Sequence, residues 1–172
     1  QDARREMLAA AERAIELDPG NANALTSASL LALSLGRIED AQQLGQQAVS
    51  RDPLAVEPFR ALGTSLYFGG KLTEAEAVFR KILELNPTVE AMNYRLGLVL
   101  LARGEPAAAL VEMQHEPDAV RRQLGLVLAF DALGRRSEAD HALVVAEKDA
   151  GGWDYQFGQL YAHRNDRGRA FL

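Results

Sequence analysis

One interval governs this chain. Thirty-four residues separate Pro19 from Pro53 and Pro53 from Pro87, and the same step relates Gly36, Gly70 and Gly104, and Ala41, Ala75 and Ala109. Gly63 and Gly97 repeat it again. Four residue columns locked to one period describe a chain that reiterates one supersecondary unit, each copy burying its apolar face against its neighbours instead of around one central core.

Within the period the apolar spacing is helical. Ala-Leu-Gly-Thr-Ser-Leu-Tyr-Phe from 61 to 68 runs into a Gly-Gly break and then a second amphipathic stretch, Thr73 to Leu85. Of the 172 residues, 55 are Ala or Leu and β-branched residues are sparse, so the chain is expected to be nearly all helix. Each column then has a physical task. Gly36, Gly70 and Gly104 end a first helix at positive φ, where the chain turns tightly. Ala41, Ala75 and Ala109 sit early in the second helix, where a small side chain lets two helices approach. Leu62-Gly63 and Leu96-Gly97 pair a core leucine with a glycine that another helix can sit against. Asp18-Pro19, Asp52-Pro53 and Asn86-Pro87 stop the second helix, because the residue before proline is pushed out of the α region.

These residues resemble the tetratricopeptide repeat (TPR), a helix-turn-helix unit of 34 residues. The best copy, 56–89, has Phe59, Leu62-Gly63, Gly70, Ala75, Phe79 and Pro87 at the family's characteristic positions. The copy at 22–55 keeps Gly36, Ala41, Ala48 and Pro53 but carries Ala28-Ser29 where Leu-Gly is expected. Residues 1–21 look like the second helix of a truncated repeat, with Ala14 and Pro19 in place. A shortened copy spans 90–119, its second helix opened by Pro106 and stopped by Pro117. An irregular copy spans 120–150, with Gly134 and Ala139 only 30 residues after Gly104 and Ala109. Residues 151–172 read as a truncated terminal repeat in which Trp153 starts a helix and Ala170 marks the second one. The resemblance implies an all-α, right-handed superhelical solenoid of antiparallel helix pairs, a single array over 1–172 with about eleven helical segments.

Composition removes several functions. A net charge of −5 with no Lys/Arg block argues against nucleic-acid binding, which needs clustered cations. The absence of cysteine excludes thiol catalysis, disulfides and thiolate zinc sites. No apolar run approaches the ~18 residues of a membrane span and no signal segment opens the chain, so a soluble segment is expected; its location stays open, with the cytoplasm favoured over secretion. The start at Gln1 and the apolar end at Phe171-Leu172 suggest a piece of a longer protein, and the uncapped end suggests self-association through exposed repeat ends.

Nothing in the sequence supports catalysis. Gly69-Gly70-Lys71 fails as a phosphate loop, since Ser65 and Leu72 stand where glycine and Ser/Thr are required and a helix precedes it. Two Glu-x-x-His pairs, Glu112 with His115 and Glu138 with His141, have the spacing of di-iron ligands, but they sit at different registers of separate units and should not converge. His163 has no nucleophile motif around it. No cofactor and no metal site are expected, and a metal-binding helical enzyme built on the two Glu-x-x-His pairs is kept as the remote alternative.

What remains is a surface. In the family that the chain resembles, first helices line a concave groove, with contacts from set positions of each unit. That implies Asn23, Thr26, Leu30 and Leu33; then Glu57, Arg60, Thr64, Tyr67 and Phe68; then Tyr94, Leu98 and Leu101; then Arg121, Leu124, Leu128 and Asp131; and finally Tyr155, Gln159 and His163. Aromatic anchors and arginine handles of this kind suit a peptide or partner domain. The positions at which chaperone-binding members hold a terminal carboxylate carry Thr26, Leu30, Ala61, Ala91 and Arg95 here, and only Arg95 matches. The expected function is a non-catalytic protein-interaction module. The alternative is a regulatory or assembly segment of a larger bacterial multidomain protein, suggested by the Gly-Arg turns, Asp-Pro-Leu and the closing Tyr-Ala-His-Arg-Asn-Asp stretch.

Overall fold

A computed structural model describes residues 2–148 and 154–164, and these form ten helices with no strand among them. In chain order they are α1 (Asp2–Leu17), α2 (Ala22–Ser34), α3 (Ile38–Arg51), α4 (Val56–Phe68), α5 (Leu72–Leu85), α6 (Met92–Ala102), α7 (Pro106–Gln114), α8 (Ala119–Ala132), α9 (Arg136–Lys148) and α10 (Asp154–His163). The expected eleventh segment around Ala170, like Trp153, lies outside the described residues. The chain divides into two compact units, Gln1–Val89 and Glu90–Leu172.

The first unit holds α1 and the pairs α2/α3 and α4/α5; the second holds α6/α7, α8/α9 and α10. Inside every pair the turn is the same device. Gly36, Gly70, Gly104 and Gly134 all have φ between 71° and 78°. The following N–H reaches back to a carbonyl five residues earlier, as Arg37 to Ala32, Lys71 to Leu66, Glu105 to Leu100 and Arg135 to Phe130, at 2.8–2.9 Å. That double-bonded helix end needs a left-handed residue, which glycine supplies without steric cost. The break at Gly69-Gly70-Lys71 is therefore a turn that ends α4.

Size complementarity between columns holds each pair together. Ala41, Ala75, Ala109 and Ala139 are all completely buried. In the second repeat a side chain on Gly63 would lie 2.8 Å from Cε1 of Phe79, and in the third one on Gly97 would lie 2.5 Å from Cγ of Met113. The same two columns in the first repeat hold Ser29 and Gly45. Ser29 is buried and donates its hydroxyl to the Ala41 carbonyl at 2.7 Å, while Gly45 lets the Leu62 backbone of α4 come within 3.0 Å of where a Cβ would be. In the second and third repeats the space at the first-helix glycine is filled by a bulky residue of the second helix, whereas in the first repeat the glycine is on the second helix and the next repeat packs against it.

In the second unit the regular pattern is altered at one buried position. Position 116 continues the column of Ala48 and Ile82, both fully buried, yet it is a glutamate with no exposed surface. Pro117 ends α7 at Gln114, so residue 116 leaves the helix. Its carboxylate turns to the start of α6, which has no side-chain cap of its own and a left-handed Ala91 at φ 70°. Glu116 accepts hydrogen bonds from the N–H groups of Ala91 at 2.8 Å, Tyr94 at 3.1 Å and Asp118 at 3.3 Å. A carboxylate at a helix N-terminus satisfies otherwise orphaned donors and the helix dipole together.

Candidate functional site

In the Gln1–Val89 unit the first helices α2 and α4 share an open depression of about 470 Å³, with Leu30, Leu33 and Ser34 on one side and Phe68 on the other. Helical spacing puts Leu30 and Leu33 on one stripe of α2. Phe68 is the last residue of α4, thrown outward where the helix stops, and it is 61% exposed although its ring meets Tyr67 edge-to-face at 5.3 Å. Asn23 is exposed on α2, and Tyr67 is half-buried. Arg60 is half-buried and engaged by Glu57, three residues earlier on α4. Thr26 and Thr64 face inward: both are buried, and their hydroxyls donate to the Ala22 and Arg60 carbonyls of their own helices at 2.7 Å.

In the Glu90–Leu172 unit the implied positions are tied into the fold. Tyr94 is half-buried, its ring packed over Gly125 of α8, where a Cβ would lie 3.1 Å from Cδ2. Leu98 is half-buried on α6. Arg121 points its guanidinium at Glu116 (3.8 Å) and Asp118 (3.9 Å). Asp131 lies 3.0 Å from Nε of Arg164, whose side chain is 5% exposed, and 3.8 Å from Arg136. Tyr155, Gln159 and His163 are on α10, and their side chains fall outside the described residues.

One member of each Glu-x-x-His pair is engaged by its own helix or turn. His115 Nδ1 is 2.8 Å from the Val111 carbonyl. Glu138 accepts from Arg135, and that hydrogen bond holds its carboxyl below the usual carboxylate range. Among the described residues no group of three or more His, Cys, Asp or Glu is placed to hold a metal ion. No helix among them is long and apolar enough to cross a membrane.

Three features escaped the reading of the sequence. A second cavity of about 680 Å³ adjoins Phe68 and is lined by glutamines of α3. Glu116 could have been noticed as an acid in an apolar column just before a proline. Arg164 had no signal, since its partners Asp131 and Asp140 are 33 and 24 residues away.

A sequence model of the tetratricopeptide repeat family matches residues 2–56 and 60–114. Human Tetratricopeptide repeat protein 7B is 29% identical over 104 residues, which are 60% of this chain and 12% of that protein. The chain therefore spans about an eighth of that relative's length. Among solved structures, TTC0263 of Thermus thermophilus, a thermophilic TPR protein, superposes with a TM-score of 0.76 at 22% identity, covering 90% of this chain and 87% of that one. MamA gives 0.71 at 24% identity over 84% and 89% of the two chains. YrrB, described as a TPR protein with an unusual peptide-binding site, gives 0.65 at 24% identity over 94% and 87%. At these identities the likeness is one of fold.

Proposed function

The chain belongs to the tetratricopeptide repeat family, and from that premise we propose that it is a non-catalytic interaction module whose α2/α4 face seats an apolar side chain of a partner peptide. The observation that carries this reading is Phe68, held 61% exposed beside Leu30 and Leu33 across an open depression. Apolar surface gathered in one place on a folded protein is a common mark of an interaction site. Covering a phenylalanine contributes about 1.5–3 kcal/mol, a large share of the roughly −8 kcal/mol of a micromolar complex. YrrB's peptide site is a precedent within the fold. Asn23, Arg60 and Tyr67 flank the same face as polar handles. In the other unit Tyr94 and Leu98, half-buried on α6, are proposed for partner contact, while Arg121 and Asp131 face Glu116 and Arg164.

The test uses a random dodecamer peptide library displayed on phage and panned against the 172-residue chain. Enriched peptides should carry a bulky apolar residue and lose about tenfold or more in affinity on Phe68→Ala protein, whose far-ultraviolet dichroism and melting are unchanged. Peptides that bind parent and variant alike would remove the α2/α4 face from the function.

A further inference from the structure

We propose that the bound peptide continues past Phe68 in extended form into the second cavity, where the side-chain amides of Gln43 and Gln46 hydrogen-bond its backbone. The proposal rests on the α2/α4 reading above and adds the residues that read the chain beyond its apolar anchor. Ile38 and Phe68 line both depressions, so the two adjoin around one aromatic ring. Their chemistry differs. The first is walled by leucines; the second, about 680 Å³, has Leu62 and Leu66 at its base and Gln42, Gln43 and Gln46 along one side.

The glutamines form one stripe of α3 because positions three and four apart share a helix face. Gln42 is committed to the fold: its Nε2 donates to the Ser65 carbonyl near the end of α4 at 3.2 Å, and a side chain on Gly69 would collide with that nitrogen. Gln43 and Gln46 are exposed, and their amides have no hydrogen-bond partner among the described residues. A primary amide offers a donor and an acceptor in one plane, the complement of a peptide group. Side chains three apart on a helix stand about 5–6 Å from each other. An extended chain presents backbone groups on the same edge every two residues, about 6.8 Å. Two free amides at this spacing, beside an apolar seat, match an extended segment that places one bulky side chain at Phe68 and runs its backbone along α3.

The charged residues around the cavity, Glu39, Lys71 and Glu74, are of mixed sign. No single charge is selected, so affinity should depend little on salt. An acidic or basic ligand would behave oppositely.

The experiment uses a peptide enriched on the parent chain, titrated calorimetrically against the parent, Phe68→Ala and Gln43→Ala/Gln46→Ala proteins, with single backbone N-methylation along the peptide. Each lost hydrogen bond is expected to weaken binding about fivefold. The double glutamine variant should therefore lose roughly tenfold or more with unchanged melting, and N-methylation should be harmful at alternate residues on one side of the anchor. Unchanged affinity of the glutamine variant, with loss on Phe68→Ala, overturns this inference and leaves the α2/α4 reading standing. Enrichment indifferent to Phe68 overturns both. So does failure to enrich any peptide combined with a Phe68-dependent dimer in sedimentation, which would make a second copy the occupant.

Discussion

Gly63 and Gly70 are seven residues apart and glycine for unrelated reasons. Gly70 sits at φ 74° with nothing within 4 Å of a Cβ, so its constraint is backbone conformation. Gly63 is inside α4, and its constraint is the Phe79 ring. Gly63→Ala should cost about 1–3 kcal/mol by overpacking. Measured by urea unfolding, much of that cost should vanish in a Phe79→Leu background, because the two residues compete for one volume. An identical cost in both backgrounds would show that helix α4 is displaced elsewhere. Glu116 offers a sharper case. Replacing it by Ala strands the Ala91 and Tyr94 N–H groups and removes the buried carboxylate that Arg121 faces, for an expected loss of about 2–4 kcal/mol. Glu116→Gln, which keeps a carbonyl acceptor, should lose less. Equal losses would mean that the charge outweighs the capping bonds.

At the scale of elements, the last helix among the described residues of the second unit is held by few but buried contacts. Phe157, Leu160 and Tyr161 of α10 pack against Val120, Leu124 and Val127 of α8 and Ala142, Leu143 and Ala146 of α9. Polar ties reinforce this. Tyr161 donates its hydroxyl to Glu147, and Arg164 engages Asp131 of α8 and Asp140 of α9. Removing Arg164 should loosen α10 before anything else, since only the apolar contact and the Tyr161–Glu147 hydrogen bond then hold a ten-residue helix. Hydrogen exchange on Arg164→Ala should show faster amides in Asp154–His163 and no change in α2 to α5. Uniform acceleration along the chain would instead mean that the whole fold depends on this cluster. The α7 segment has the opposite character: nine residues closed by prolines at both ends, shorter than its counterparts α3 and α5 by five.

At the scale of the molecule, each unit carries its own core. Leu25, Ala28, Leu62, Phe79 and Ile82 are buried in the first, and Met92, Leu96, Met113, Leu124, Val127 and Leu143 in the second. A fragment ending at Val89 should therefore keep its helicity and melt cooperatively when followed by circular dichroism. A fragment that is unfolded at room temperature would show that its buried area is insufficient by itself. The repeat type, the turn glycines and the positions of most helices were all legible from one interval, because these depend on residues a few places apart and on a pattern repeated often enough to rise above chance. The sequence determined that much alone. Only the tertiary structure decided which first-helix residues reach solvent. Thr26 and Thr64 turn inward to their own helices, Asp131 is taken by Arg164 and Arg121 by Glu116, while Phe68 is left out in the open beside the amides of α3. Those outcomes depend on side chains brought together from other helices, and a register that assigns faces carries no information on what a neighbouring helix covers.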